Sequence, residues 1–177
     1  MLRGERVVLR ARRESDIAVF DTELHDDVET RVRSDSRPWR PVPAGSPASG
    51  YRVPDDSKYV ACFSVDELSS GELAGEALLW GIDQHNRLAH LGMALRPGFR
   101  GRGLSTDTVR VLCRYGFVIL GLHRLQLETL ADNEAMTKAA TSAGFVIEGT
   151  LRRNAWVNGE FLDEVILGQL ASEWAAR

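Results

Sequence analysis

The sequence lacks most features that mark exported, membrane-bound or nucleic-acid-binding proteins. Two cysteines among 177 residues are too few for a disulfide framework, which predicts a reducing, cytoplasmic location. No apolar run approaches the roughly 20 residues that a membrane-spanning helix needs, so we expect no membrane partner and no export signal. A formal net charge of −3 gives no general attraction to nucleic acid, and we expect no nucleic acid partner.

Lysine is scarce as well, with only Lys58 and Lys138 in the chain. The scarcity matters at residues 91–120, where a strand-like apolar run ends at Pro97 and helical spacing resumes after a glycine-rich turn. Such a turn leaves backbone N–H groups unpaired at the start of a helix, where glycine lets an anion approach them. The Walker A form of this site is excluded, because Leu104 stands where that loop requires lysine.

Two other phosphate-binding interpretations fit the turn. A dinucleotide fingerprint would start at Gly101 and Gly103 and would place its acidic residue at Glu128, about 25 residues further on. Thr106 stands in place of the third glycine, and the chain then ends in a hairpin instead of further strand–helix units. Both observations disfavour a NAD(P)-binding oxidoreductase. An acyl-CoA pyrophosphate loop needs the glycine-rich turn without the third glycine, and we favour this interpretation.

Taken in order, the hydrophobic patterns predict an α+β fold in which helices flank a mixed, mostly antiparallel sheet. The strongest local signal is Asn158-Gly159, which is typical of a two-residue hairpin turn. Residues 36–57 are rich in Pro, Gly and Ser and predict one long loop. We expect a single domain over residues 1–177. Strands are predicted at 5–11, 58–65, 72–82, 87–95, 124–132 and on both sides of the hairpin turn, and helices at 14–24, 26–34, 104–120 and 133–143.

Three motifs are spread over the second half of the chain. They are RPGFRGRGLSTD at residues 96–107, Asn133 followed eleven residues later by Gly144-Phe145, and Glu148-Gly149 ahead of the hairpin. In this order and spacing the chain resembles the GNAT superfamily of N-acetyltransferases, and within it the RimJ/RimL-like group. The resemblance implies the GNAT acyl-CoA N-acyltransferase fold, with acetyl-CoA as cosubstrate and no metal. It also implies that a primary amine attacks the acetyl group directly in a ternary complex.

The resemblance further implies which residues bind acetyl-CoA. Backbone amides of the glycine-rich turn would hold the pyrophosphate, and the preceding strand would splay from its neighbour to expose its backbone to pantetheine and the acetyl carbonyl. Asn133 would contact the CoA arm, although a plain helix N-cap explains it equally well. The implied residues are Met93, Ala94, Leu95, Arg100, Gly101, Arg102, Gly103, Leu104, Ser105 and Asn133.

Acyl transfer to an amine needs a base for the attacking nitrogen, and three side chains are candidates. Glu128 lies five residues before Asn133, where RimI-like N-terminal acetyltransferases carry a glutamate that acts through water. His90 lies on the strand before the glycine-rich turn, and imidazole titrates near neutral pH. Glu76 lies on the preceding strand. Each also has an ordinary structural explanation, as a solvated carboxylate or a hydrogen-bonded histidine, so the sequence leaves the choice open.

Two departures from the family pattern bear on the chemistry. The first position of the Arg/Gln-x-x-Gly-x-Gly pattern is Gly98, so one side-chain contact is lost while the backbone amides remain. The positions three and seven residues after Asn133, where the family carries a serine or a tyrosine as the acid, hold Met136 and Ala140. We therefore predict catalysis without a dedicated side-chain acid, with water or Thr137 beside the departing thiolate.

The acceptor stays open between a protein N-terminus and a small-molecule amine. We expect Trp39 and Arg40, in the long loop, to form part of its site, with Trp156 as a second wall. Acidic residues at 26–29 and 55–56 would attract an ammonium group. An alternative function is a non-catalytic acyl-CoA-binding regulatory or interaction module, which the absent acid would explain. The resemblance also implies a homodimer as the assembly to test.

Overall fold

The structure, a computed structural model, describes residues 1–35, 37–53 and 58–175. Its strands are β1 (Leu2–Arg3), β2 (Val7–Ala11), β3 (Val60–Glu67), β4 (Leu73–Asp83), β5 (Leu88–Leu95), β6 (Arg124–Leu130), β7 (Val146–Val157) and β8 (Glu160–Leu170). They form an eight-stranded sheet in the spatial order β1-β2-β3-β4-β5-β6-β8-β7. Neighbouring strands are antiparallel except β5 and β6, which run parallel.

The helices are α1 (Glu14–Phe20), α2 (Val28–Ser34), α3 (Leu104–Arg114), α4 (Glu134–Ala143) and α5 (Ala171–Ala175). π-helical turns continue α1 over Asp21–His25 and α3 over Tyr115–Ile119, and a 3-10 turn at Pro97–Phe99 precedes α3. These elements confirm the α+β fold with a mixed, mostly antiparallel sheet. The hairpin turn is also as predicted, since Asn158 and Gly159 have φ of 48° and 93°. The sequence does not predict β1 and α5, because such short elements carry no readable period.

Residues 37–53 contain no helix or strand, in agreement with the expected loop. Tyr51 fastens the end of this segment to α1, with its buried ring 5.4 Å from that of Phe20. The hydroxyl of Ser49 donates to Asp21 at 2.7 Å. The segment therefore packs on the side of the sheet that α1 occupies. The acidic pair Asp55-Asp56 lies outside the described residues.

The sheet carries apolar clusters on both faces. The larger cluster lies between the sheet and the pair of helices α3 and α4, and it includes Leu79, Leu112 and Leu125. Because side chains alternate along a strand, Trp80 and Gln126 lie on the opposite face. The smaller cluster, built on α1, covers that opposite face only in part. The half-covered face holds the polar side chains described below.

A buried ion pair fixes α1 to the sheet. Arg10 donates to both carboxylate oxygens of Asp16, at 2.7 and 3.0 Å. The Ser64 hydroxyl and the Arg13 backbone N–H donate to the same carboxylate at 2.7 and 2.8 Å. Burial alone would raise the pKa of Asp16, but these hydrogen bonds outweigh it and lower the pKa to about 2. Asp16 is therefore an ionised structural carboxylate.

A second carboxylate ties the N-terminal segment to the start of α3. Asp107 accepts the backbone N–H groups of Glu5, Arg6 and Val7, at 3.2, 2.7 and 3.0 Å. A Cβ atom on Gly4 would collide with this carboxylate, which explains the glycine in the tight turn between β1 and β2. An acidic residue in the first turn of a helix also interacts favourably with the helix dipole. These hydrogen bonds hold the start of α3 against the N-terminal segment.

Strands β5 and β6 separate along their length. Among the described residues, β5 continues beyond His90 to Leu95 against β4 alone, and β6 continues to Leu130 against β8 alone. The sheet therefore opens into a gap that widens toward the glycine-rich turn. The parallel pairing comprises Leu88 with Arg124, Ala89 with Leu125 and His90 with Gln126.

Candidate functional site

The main chain of β5 faces the gap at every second residue. The N–H of Arg96 donates to β4 at 2.9 Å, and this bond sets the alternation. The polar main-chain groups of Ala94 therefore point toward β4, and those of Met93 and Leu95 point into the gap. The Leu95 C=O accepts a hydrogen bond from Arg100 Nε at 3.1 Å. Within the described part of the chain, no strand pairs with the Met93 N–H and C=O on the gap side.

The glycine-rich turn ends the gap with a row of backbone N–H groups. Gly101 and Gly103 have φ of 74° and 76°, in the left-handed region that favours glycine. Among residues 1–35, 37–53 and 58–175, no acceptor bonds the N–H groups of residues 101–105. The Arg100 N–H differs, because it donates to the Pro97 C=O at 3.4 Å. Free amides at a helix N-terminus are suited to a phosphate group.

The arginine side chains at this turn already contact protein atoms. Arg6 Nη1 donates to the Arg102 C=O at 3.3 Å. The guanidinium of Arg102 lies 4.9 Å from the centroid of the Phe99 ring and 3.2 Å from a carboxylate oxygen of Glu67. Because an ion pair already offsets much of the Arg102 charge, the backbone amides are the groups of the turn that are best suited to an anion.

His90 and Glu128 meet at the vertex of the gap. Nδ1 of His90 lies 3.4 Å from Oε1 of Glu128, which is within ion-pair distance but does not have hydrogen-bond geometry. The His90 ring stacks on Trp80, with 4.2 Å between centroids and 22° between planes. Gln126 donates to the same Glu128 oxygen at 2.7 Å. The Glu128 side chain is partly exposed, so an incoming amine can reach its carboxylate, whereas Nδ1 of His90 is buried.

Glu76 lies on the same sheet face but in a separate cluster. Its carboxylate accepts from Arg12 Nη2 at 2.7 Å, and the side chain of Arg12 is only 2% exposed. Burial raises the pKa of Glu76, and the Arg12 guanidinium opposes that rise. Strand geometry puts Glu76 about 13 Å from His90 along the sheet. The structure therefore joins two of the three candidate bases, His90 and Glu128, and leaves Glu76 as the counter-ion of Arg12.

The start of α4 holds the residues expected beside the CoA arm. Asn133 caps the helix by accepting the Met136 N–H at 3.2 Å, and its Nδ2 donates to Thr129 at 3.0 Å. The N-cap role is thus visible in the structure. Met136 packs against the core and Ala140 is fully buried. The Thr137 hydroxyl is buried and has no hydrogen-bond partner in the described part of the chain.

The residues expected at the acceptor site are held by α1 and its π-helical turn. Trp39 Nε1 donates to the His25 C=O at 2.9 Å, and the His25 ring is bonded to the Arg40 C=O at 2.8 Å. Trp39 is half-buried and Arg40 is exposed. Trp156 is exposed near the end of the β7–β8 hairpin and lies against the Phe161 ring.

Sequence reasoning misses Trp80, Gln126 and Arg12 as neighbours of the candidate bases. A usable signal existed for Gln126, because residues two apart on a strand share a face and Glu128 was already a candidate. The stacking of Trp80 on His90 depends on the register between β4 and β5, in which the two residues are direct partners. No local pattern predicts that register.

Comparison with known proteins identifies the family. A model of the acetyltransferase (GNAT) domain matches residues 6–146. The chain belongs to the GNAT family. Membership makes it an N-acetyltransferase, and it confirms the resemblance read from the glycine-rich turn, Asn133 and Glu148.

Relatives in this family carry different names. The putative ribosomal N-acetyltransferase YdaF of Bacillus subtilis is 33% identical over 135 residues, which cover 73% of this chain and 74% of the relative. The spermidine N(1)-acetyltransferase of Escherichia coli K12 is 30% identical over 95 residues, which cover 54% of this chain and 51% of that enzyme. The chain thus spans about half the length of the spermidine enzyme that it matches.

Solved structures share the fold over nearly the whole chain. Spermidine N-acetyltransferase from Vibrio cholerae, in complex with CoA and spermine, has a TM-score of 0.76 at 20% identity and covers 96% of this chain and 98% of its own. A probable acetyltransferase reaches a TM-score of 0.81 at 23% identity, with 96% of both chains covered. At these identities, the likeness establishes the fold alone.

Two further searches concern the described residues only. None of the helices in residues 1–35, 37–53 and 58–175 has the length and apolar character needed to cross a membrane. The same residues contain no group of three His, Cys, Asp or Glu side chains that could hold a metal ion.

Proposed function

We propose that this GNAT acetyltransferase moves the acetyl group of acetyl-CoA to a primary amine by direct attack in a ternary complex, with Glu128 as the base. The observation that carries the proposal is the His90–Glu128 pair at the vertex of the gap, beside the free main chain of Met93. The fold shared with a spermidine N-acetyltransferase complexed with CoA and spermine supports it.

The residues present fit acetyl-CoA. The N–H groups of residues 101–105 would bind the pyrophosphate, and each bond to a charged oxygen contributes roughly 1.5–3 kcal/mol. The gap-facing main chain of Met93 and Leu95 would bind the pantetheine arm. The amide groups of the arm would take the place of β6, which does not pair with this part of β5. Asn133 would reach the arm with the amide hydrogen that Thr129 does not use. No metal takes part in the proposal.

The chemistry needs only groups that this site contains. The amine nitrogen attacks the thioester carbonyl carbon while Glu128 accepts its proton, directly or through a water molecule. The Met93 N–H stabilises the negative charge that develops on the carbonyl oxygen. The C–S bond then breaks and CoA leaves as a thiolate, which takes a proton from water while Glu128 returns to that water the proton that it accepted from the amine. The products are the N-acetylated amine and free CoA, without a dedicated side-chain acid.

His90 orients the base in this scheme. Its ring is held by Trp80 on one side and faces the Glu128 carboxylate on the other. A stacked ring has little rotational freedom, so it limits the space open to the carboxylate on that side. Glu76 is left out, because its Oε2 is bonded to Arg12 and the side chain is largely buried away from the His90–Glu128 pair.

We propose Trp39 and Arg40 as part of the acceptor site, on the sheet face that α1 covers only in part. The acceptor is a protein N-terminus or a small-molecule amine. YdaF, named as a putative ribosomal N-acetyltransferase, supports the former and the RimJ/RimL-like grouping, and the spermidine enzymes support the latter. A single domain over residues 1–177, a cytoplasmic location and a homodimer complete the proposal.

Thiol release from acetyl-CoA tests the function. The panel contains Ser- and Ala-initiated peptides, spermidine, aminoglycosides and nucleoside amines, and calorimetry measures CoA binding in parallel. Glu128→Gln should lower kcat at least 100-fold, within the range of about 10²–10⁴ for a general base. Glu160→Gln, an exposed glutamate at the hairpin turn, is the matched control and should leave kcat unchanged. Full activity of Glu128→Gln would overturn the assignment of the base.

A non-catalytic acyl-CoA-binding module is the second candidate. Met136 and Ala140 favour it, because they occupy the positions where the family carries its acid. CoA binding without turnover of any amine in the panel would support this candidate over the enzyme. Turnover of one amine would exclude it and would name the acceptor class.

A further inference from the structure

A line of polar side chains runs from β7 across the sheet to Glu128. Glu148 accepts from Arg124, with 2.8 Å between Oε1 and Nη1. Arg124 Nη2 donates to Gln126 Oε1 at 2.9 Å, and Gln126 Nε2 donates to Glu128 Oε1 at 2.7 Å. Residues 124, 126 and 128 share one face of β6 because they are two apart. We call Glu148, Arg124 and Gln126 the clamp.

The chemistry of its members gives the clamp a direction. A guanidinium has only donors and a carboxylate has only acceptors, so the amide between them has one satisfactory orientation. Its carbonyl must face Arg124 and its NH2 must face Glu128. The strong hydrogen bond from Arg124 lowers the pKa of Glu148, so this end of the clamp is an ion pair at neutral pH.

Gly168 shows that the sheet is built around the clamp. It lies inside β8, between Gln126 of β6 and Val146 of β7. Glycine inside a strand weakens the strand, so its presence calls for a local reason. A Cβ atom at this position would lie 2.5 Å from Glu148 Oε1 and 2.7 Å from Arg124 Nη2. The Arg124–Glu148 pair crosses β8 through the space that the missing side chain leaves.

We propose that the clamp positions the Glu128 carboxylate, so that one oxygen is occupied by Gln126 and the other is presented to the acceptor amine. The inference rests on the proposed function of Glu128 as the base. Glu128 is partly exposed and would otherwise sample several rotamers. The clamp also assigns a role to Glu148, which belongs to a motif at the start of the hairpin that acetyl-CoA binding and proton transfer leave unexplained.

Reversing the ion pair separates positioning from simple structural support. In the double variant Arg124→Glu/Glu148→Arg the ion pair can form with its charges exchanged. Its thermal stability should therefore equal that of the wild type. Residue 124 would then be an acceptor, and the Gln126 amide would turn its carbonyl toward Glu128. We expect kcat to stay about tenfold low, in keeping with the cost of a misplaced catalytic group, and the KM for acetyl-CoA to stay unchanged. The same reversal in the exposed pair Glu14–Arg52 is the control and should leave kcat unaffected.

Gly168→Ala tests the clamp without touching its members. The added methyl group meets only the ends of two flexible side chains, so the ion pair must move while the strand stays in place. Gly149→Ala is the matched control, because a Cβ at that strand position meets nothing within 4 Å. We expect Gly168→Ala to lower kcat about tenfold and Gly149→Ala to leave it unchanged.

A double-mutant cycle with Glu128→Gln decides whether the clamp acts through Glu128. The cycle uses acetyl-CoA with spermidine or a Ser-initiated peptide, whichever turns over faster. If the clamp positions the base, Gly168→Ala and the reversed pair should have no further effect on kcat in the Glu128→Gln background. Additive losses, or full activity in the reversed pair, would overturn the clamp and leave the proposed function intact. Full activity of Glu128→Gln alone, or no turnover of any amine, would overturn the proposed function and the clamp with it.

Discussion

Nη2 of Arg12 lies 2.7 Å from Oε2 of Glu76, and both side chains are largely withdrawn from solvent. The pair sits beneath the segment that carries Tyr51, whose C=O also accepts a hydrogen bond from Arg12. Because a buried guanidinium without a counter-ion is costly, the carboxylate of Glu76 stabilises the fold at this position. This relationship separates Glu76 from the other two candidate bases.

Glu76→Gln should therefore unfold more easily than the wild type. Removing one partner of a buried ion pair costs about 3–5 kcal/mol, and urea unfolding at pH 7 would measure the loss. Glu72→Gln, in the exposed turn before β4, is the control and should change little. A loss of kcat at unchanged stability would instead return Glu76 to the list of bases.

Asp16 should make the stability of the protein depend on acid pH. Its pKa is about 2 in the folded state against 3.8 for a free side chain, so its stabilisation is present above pH 4 and is lost as the pH falls toward 2. The shift corresponds to about 2 kcal/mol. Asp16→Asn should be clearly less stable at pH 7, and the difference from the wild type should shrink between pH 4 and pH 2. A difference that is constant over that range would contradict the assignment.

Gly101 should matter for CoA binding more than for folding. Alanine in the left-handed region costs about 1–2 kcal/mol wherever it occurs, so Gly101→Ala and Gly121→Ala should lose similar stability. Gly121 has the same backbone conformation and open surroundings, but it lies at the other end of α3. Only Gly101→Ala should also weaken CoA binding in calorimetry, by about tenfold for each hydrogen bond disturbed. Equal affinities in the two variants would argue against the amide site.

The buried Thr137 hydroxyl offers a test of how the thiolate leaves. Thr137→Val removes a buried polar group that has no partner among the described residues, so stability should stay equal or rise. We expect kcat to fall no more than about tenfold, because water remains the proton source and the hydroxyl would supply only one hydrogen bond. Thr141→Val, one turn further along α4, is the control. A fall of 1,000-fold would show a dedicated acid and contradict the prediction. Met136→Ser should likewise change kcat less than tenfold.

Trp39 tests the acceptor site. Trp39→Ala should raise the acceptor KM several-fold and leave CoA affinity unchanged, because the indole lies in the loop fastened to His25 and not at the glycine-rich turn. Trp156→Ala tests the expected second wall in the same way, since Trp156 is exposed at the hairpin. The assignment would be wrong if Trp39→Ala weakened CoA binding and spared the acceptor KM.

The sequence predicts most of this fold because its signals are local. Asn158-Gly159 specifies its own turn, and the glycines before α3 need only their own φ angles. The family resemblance then supplied the gap and the glycine-rich turn as one unit. Alternation along β6 would have placed Gln126 beside Glu128 without any structure.

The remaining features depend on relations between distant segments. Arg12 and Glu76 are 64 residues apart, and no sequence period links them. The contact between His90 and Glu128 requires the parallel register of β5 and β6, two strands that α3 separates in the chain. Trp80 reaches His90 because the two residues are direct partners in the antiparallel register of β4 and β5. Register and bulges are decided by packing. The sequence therefore leaves three candidate bases, of which the structure brings two together.

The gap between β5 and β6 has a mechanical consequence. Five strands lie on one side of it and three on the other, and three residue pairs join the two parts. The sheet thus consists of two parts that are joined by a short parallel pairing and covered on one face by α3. A ligand in the gap would form hydrogen bonds with the part of β5 that β6 does not pair with, so it would link the two parts of the sheet while it is bound. Bound acetyl-CoA should therefore make the two parts of the sheet more rigid, and they should become more flexible once CoA has left.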